Sequence, residues 1–184
     1  MSSIFGFDDL QRYIGTLRNR LDRALQEGLK DVAEMIQKAA QENIIYGRSE
    51  WPRLKKSTIL ARIRRRKTGR RALRRAKTLK EQGAPLGARV AVLKRAMRSI
   101  TSPFTPLYDT GTLMNSIKSV VERDEAVVGT PLEYAPIHEF GGNAGRGRRV
   151  HIPARPYLRP AAEENLGVAK DLFVRRIEEA ARRR

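Results

Sequence analysis

From Phe7 to Ile36 the apolar residues Phe7, Leu10, Ile14, Leu17, Leu21, Leu25, Leu29, Val32 and Ile36 recur at three- and four-residue steps. Arg, Asp, Glu and Gln fill the positions between them. This is the period of an amphipathic helix. The pattern predicts one long helix over 8–43, with Asp8 or Asp9 at the N-cap and Asn43–Gly47 ending it. At 1.5 Å per residue that helix is about 54 Å long, more than a compact domain usually spans. Part of it is therefore expected to pack on a neighbouring copy. Gly15 and Gly28 are the expected weak points, where it would bend or break.

Next comes a loop, IIYGRSEWPRLKKST, pinned by Trp51 and leading into helical rhythm. Ile59, Leu60 and Ile63 form one apolar stripe. Leu73, Ala76 and Leu79 form a second, ended by Gly83, Pro85 and Gly87, and Val90, Leu93, Ala96, Met97 and Ile100 form a third. Two or three short helices over 55–100 are predicted, with Arg and Lys covering their outer faces. From 101 the texture changes, punctuated by Pro103, Pro106 and Gly111, and Asp109 or Thr110 can cap a short helical turn. Ile117–Val121 and Ala126–Gly129 read as a strand pair around the polar turn Glu122–Glu125. LEYAPIHEF (132–140) reads as one helical turn, and GGNAGRGRR (141–149) as a flexible loop, mobile until something binds. Val150–Ile152 and Tyr157–Leu158 are strand-like, and Pro153 and Pro156 confine them to an edge. Ala161–Arg184 closes the chain as a helix with Leu166, Ala169, Leu172, Phe173 and Ile177 on one face. Its Arg182–Arg184 end complements the helix dipole.

In order, these elements are a long N-terminal helix, a basic helical insertion, a strand pair with further strand-like segments, and a C-terminal helix. The expected organisation is a single domain over 1–184. Within it lie a basic arm at 53–100, a sheet-containing core at 101–160 and the closing helix at 161–184.

Charge changes this picture. The chain of 184 residues carries a formal net charge of +18. Segment 53–98 holds 18 Lys or Arg and a single acid, Glu81, so nearly all the excess resides there and the rest is almost neutral. Such a segment needs counter-charge from phosphates, acidic partners or condensed anions. Arg62, Arg64, Arg65, Arg66, Lys67, Arg70, Arg71, Arg74, Arg75 and Lys77 are the candidate contacts. Arginine dominates, and its planar fork suits oxyanions. No aromatic residue lies in 53–98, so base stacking is not expected and non-specific contact with duplex backbone fits better. An acidic protein surface is the competing occupant.

No cysteine is present, which excludes disulfides, thiolate catalysis and cysteine zinc sites. The start MSSIFGFDDLQ lacks the basic and apolar regions of a signal peptide. No run approaches the roughly 18 apolar residues of a membrane span, so residence in the cytoplasm or in a particle is expected. His138–Glu139 opens like a zinc-protease helix, but position 142 is Gly and only His151 remains. A hydrogen-bonded structural His138 is the simpler reading. GGNAGRGRR lacks the Gly-Lys-Ser/Thr ending of a phosphate loop, and Asp109 with Thr110 or Ser116 has no histidine nearby for a triad. No cofactor, metal or catalytic residue is expected.

The C-terminal two thirds carries a resemblance. Trp51-x-x-Leu54 with Ser57–Thr58 comes first, followed by Pro106-Leu107-Tyr108-Asp109-Thr110-Gly111-Thr112-Leu113 and Ser116–Ile117. Then come Val128-Gly129-Thr130, Tyr134-Ala135-x-x-His138-Glu139-x-Gly141-Gly142 and Ile152-Pro153-Ala154-Arg155-Pro156-Tyr157-Leu158. In this order, over most of 51–160, they resemble the phage virion morphogenesis family of Mu-like and related tailed phages. That family is similar to tail-completion and head–tail joining proteins. The stretch Thr68–Pro103 is longer and more basic than expected for it.

The resemblance implies an α+β fold, a small antiparallel sheet flanked by a long N-terminal helix and a C-terminal helix with a basic helical insertion, in a non-enzymatic ring subunit at the top of the tail, in the neck of the virion. A hexameric homo-oligomer meeting other neck or tail proteins is expected, with double-stranded DNA as a further partner. An independent nucleic-acid-binding protein working through 53–98 is the alternative. Tyr134, His138, Gly141, Gly142, Arg155, Pro156 and Tyr157 are the candidate subunit contacts, with Arg155 free to pair with a carboxylate. Trp51, Leu54, Gly111 and Leu113 are the expected structural anchors.

Overall fold

The computed structural model describes the backbone at 6–99 and 105–182, and side chains up to Lys94 and from Thr105 onward. The expected contributions of the Ala96, Met97 and Ile100 side chains, of Pro103 and of the Arg183–Arg184 end lie outside the described residues. The chain is α+β, with its strands in two separate two-stranded antiparallel ribbons. It divides into two compact units that interleave along the sequence.

Helix α1 spans Phe7–Tyr46. The Gly6 carbonyl accepts from the Asp9 and Leu10 amides at 3.0 and 3.2 Å. Asp8 and Asp9 therefore stand in the first turn, not at the cap, where their charge meets the positive pole of the helix. Gly47, at φ +71°, closes the other end by donating to Asn43 at 2.9 Å. The helix runs unbroken through Gly15 and Gly28, contrary to the expected weak points. Gly28 instead admits a close neighbour, since a Cβ there would lie 2.8 Å from the Phe173 ring.

That neighbour belongs to the first unit, which holds α1 up to Gln41, a hairpin and the last helix, α7 (Leu158–Arg182). The hairpin pairs β1 (Lys118–Glu122) with β2 (Glu125–Gly129), setting Val120 opposite Val127 and Glu122 opposite Glu125. Gln26 of α1 donates from Nε2 to the Arg123 carbonyl at the hairpin turn. Arg176 of α7 clamps Asp31 Oδ2 through Nε and Nη2, at 3.0 and 2.7 Å. Helix α7 covers Leu158–Arg182, so the strand expected at Tyr157–Leu158 is not formed. Pro160 falls in its first turn, where a missing N–H costs nothing and the fixed φ favours helix. Its packed face runs through Ala161, Ala169, Leu172, Phe173 and Ile177, whereas Leu166, expected there too, is exposed.

Three turns at the start of α1 are bare. Phe7, Leu10, Tyr13 and Ile14 are 73, 50, 54 and 55 % exposed, whereas Ala24 and Ala33 farther along the helix are buried.

The second unit takes the end of α1, then α2 (Lys56–Arg65), α3 (Lys67–Glu81), α4 (Leu86–Ser99), α5 (Thr112–Ser116) and α6 (Ala135–Phe140). Its ribbon pairs β3 (Gly142–Ala144) with β4 (Val150–Ile152). Here the sequence reading needs correction, because a third of the expected flexible loop, Gly142–Ala144, is strand. The β4 backbone supplies its hydrogen-bond partners, and Gly141 at φ +75° makes the turn into it. A Cβ on Gly141 would lie 2.8 Å from the Ala154 amide nitrogen.

Trp51 is buried and donates from Nε1 to the Pro156 carbonyl at 3.2 Å. Leu54 is half-buried, and Leu113 is buried just after Gly111, which turns the chain at φ +83°. Of the two residues proposed to cap α5, Thr110 accepts from the Thr112 amide at 3.4 Å, and Asp109 is engaged elsewhere.

Candidate functional site

The three helices α2, α3 and α4 form in a segment where charge opposes compaction. Helix α2 buries Ile63 on its apolar side. The chain then turns in one extended residue, Arg66 (φ −83°, ψ 138°), before α3 begins. Gly69 makes this tight junction possible, for a Cβ there would stand 2.0 Å from the Ile63 main-chain oxygen. On α3, Gly69, Ala72 and Ala76 are buried at helical spacing, with Leu73 and Leu79 half-buried beside them. The face packs on α2 and α4. The opposite face carries Lys67, Arg70, Arg71, Arg74, Arg75 and Lys77, all exposed. Among the described residues only the Lys77 end has an acid in reach, Glu81 at 3.8 Å. That exposed pair contributes a few tenths of a kcal/mol at most.

The predicted anionic-contact residues therefore do not act alike. Arg64, Arg65 and the six α3 cations face outward. Arg62 does not, and its assignment as a partner contact is corrected. It is buried and donates from Nη1 to Thr105 O at 2.8 Å and from Nη2 to Pro106 O at 2.6 Å. Its Nε lies 3.8 Å from Asp109 Oδ2. Burial lowers its pKa from the usual value, Asp109 raises it, and the neighbouring Arg65 and Arg66 lower it again. Arg66, half-buried, donates to the Asp109 carbonyl and stands 3.7 Å from Oδ1. Arg65 reaches Oδ2 at 3.3 Å. Three guanidiniums thus converge on one carboxylate.

Asp109 is the hub that sequence reasoning missed, having been read there as a cap and set aside as a triad member. A signal was available, since it is the first acid after Glu81 in the chain. Gly69 was missed as well, because a mid-helix glycine shows its purpose only once Ile63 is placed against it.

The expected subunit-contact residues also separate. Tyr134 is exposed, with its ring edge-on to His138 at 5.9 Å between centroids and 82° between planes. Gly141, Gly142 and Pro156 are half-buried. Arg155 and Tyr157 are buried within the chain, so neither offers a contact to a partner. Arg155 is not free for a carboxylate, because its Nε and Nη2 donate to Pro52 O at 3.3 and 3.1 Å. Its amide donates to His138 O at 2.7 Å. The His138 Nδ1 is buried without a hydrogen-bond partner among the described residues. Burial, then the nearby Arg155 and Arg62, hold this imidazole below its ordinary pKa of 6.5. Among the described residues no group of three His, Asp or Glu side chains could hold a metal ion. No described helix is long and apolar enough to cross a membrane.

Among the described residues the most charged surface is the cationic face of α3. The model of the phage virion morphogenesis family matches residues 57–178, and the chain belongs to that family. It is similar to the Mu-like prophage FluMu G protein 2 of Haemophilus influenzae, 52 % identical over 68 residues. That match covers 37 % of this chain and 49 % of the relative, so the chain spans about half the length of the curated relative it matches. No solved structure matches it.

Proposed function

We propose that the protein is a non-enzymatic structural subunit of the head–tail joining or tail-completion ring of a tailed phage. Copies associate, and α3 presents its cations to the DNA that passes through the neck. The observation carrying this reading is the α3 face itself: Lys67, Arg70, Arg71, Arg74, Arg75 and Lys77 exposed side by side, with no apolar residue among them. A stable protein–protein interface buries an apolar or aromatic centre. Contact with a phosphate backbone needs only cations. The composition of this face favours DNA over an acidic protein surface.

Self-association draws on a different surface, the bare apolar stripe of Phe7, Leu10 and Ile14 on α1. Its three- and four-residue spacing is that of a seam between helices. The test is assembly in two parts. The wild-type chain is expected to form a defined oligomer by sedimentation, and Ile14→Asp to remain monomeric with unchanged helix content. Replacing Arg70, Arg71, Arg74 and Arg75 with Gln is expected to leave the oligomer intact and block completion of particles. A wild-type chain that stays monomeric and is absent from purified virions rules the proposal out.

A further inference from the structure

We propose that the cleft between the end of α2 and the Tyr108–Thr110 loop is a built site for a single phosphate group of the DNA backbone. This rests on the reading of α3 as a DNA-facing element and adds to it a fixed anchor point. The cleft is open, about 450 Å³, and lined by Arg65, Arg66, Tyr108, Asp109 and Thr110.

Charge is the first argument. Arg62, Arg65 and Arg66 surround one carboxylate at 3.8, 3.3 and 3.7 Å, which leaves two positive charges uncompensated at one place. Donor accounting is the second. Arg62 spends its terminal nitrogens on Thr105 O and Pro106 O, and Arg66 spends one on the Asp109 carbonyl. Arg65 touches Asp109 through Nη2 alone, its side chain is 67 % exposed, and its other N–H groups meet no protein acceptor among the described residues. Arginine donors in a fork are matched by an oxyanion.

Preorganisation is the third argument. Arg66, half-buried and donating to the Asp109 carbonyl, is held in place before an anion arrives, so it has little rotamer entropy left to lose. Lys67 and Arg70 follow directly on α3, so a backbone anchored in the cleft continues onto the cationic face.

The experiment follows the arginine Nε–Hε resonances of the full chain while inorganic phosphate is added, alongside binding of a short DNA duplex. Arg65 and Arg66 are expected to shift and saturate while Arg70, Arg71 and Arg74 still respond linearly. Arg65→Gln is expected to abolish the saturation, to weaken duplex binding roughly five- to tenfold and to reduce the salt slope by about one. Because the Arg65 side chain is exposed, the variant is expected to keep its fold, and an unchanged circular dichroism spectrum checks this. All five arginines responding alike overturns the site. If Arg71→Gln and Arg74→Gln weaken duplex binding while Arg65→Gln does not, the site is overturned and the proposed function stands. No duplex binding by the wild-type chain overturns both.

Discussion

Gly69 lies so close beneath Ile63 that a Cβ on it would stand 2.0 Å from the Ile63 main-chain oxygen. The obstructing atom is backbone, so no rotamer change relieves the contact. Gly69→Ala is expected to force α2 and α3 apart and to cost at least about 2 kcal/mol. A lowered urea midpoint with unchanged slope measures this. A neutral result would mean that the two helices are not joined as described.

The two glycines inside α1 are expected to respond with opposite signs. Nothing lies within 4 Å of a Cβ on Gly15, so Gly15→Ala gains helix propensity, about 0.8 kcal/mol. At Gly28 the Phe173 ring stands 2.8 Å from the same atom. Gly28→Val is expected to destabilise by about 1–3 kcal/mol by displacing α7. Thermal melts of the two variants against the wild type decide both expectations.

Arg62 ties α2 to the loop at Thr105 and Pro106 through two charge-assisted hydrogen bonds. Arg62→Met removes both hydrogen bonds, the buried one to Thr105 O and the part-buried one to Pro106 O, at an expected cost of about 3 kcal/mol. Arg62→Lys is expected to recover less than half of this, because an ammonium lacks the planar fork that reaches two acceptors at once. Denaturant titration of the pair measures the difference.

His138 makes stability fall with acidity. Burial, Arg155 and Arg62 lower its folded-state pKa below 6.5. Above that value the folded and unfolded chains both hold the ring neutral, and it contributes no pH dependence. Below it the unfolded chain gains a proton that the folded chain resists, so stability declines as pH drops from about 6.5 toward the folded value. His138→Gln is expected to remove this part of the decline. Unfolding midpoints of both proteins, compared at pH values on either side of 6.5, provide the check.

Local pattern was enough to read much of the fold. The spacing of Phe7 to Ile36 marked α1 within a few residues, and the Val120 and Val127 alternation marked the hairpin. What escaped were features created by distant partners. The β3 strand of Gly142–Ala144 has little strand propensity and exists because β4 lies beside it. Leu158 reads as strand by residue type, yet Pro160 in the first turn decides for helix. At the site, the run of arginines was visible but its division of labour was not. Arg62 and Arg64 look alike in sequence, and only the helical phase against the Thr105–Asp109 loop buries one and exposes the other.

The β3–β4 ribbon also changes what can be expected of the arginines at its tip. Arg146, Arg148 and Arg149 sit between two paired strands, with the Arg148 amide tied back to Gly145 O at 3.0 Å. Their backbone spacing is set before any partner arrives. An encounter at this tip is therefore a docking of ready-made shape, with most of the ordering cost already met during folding.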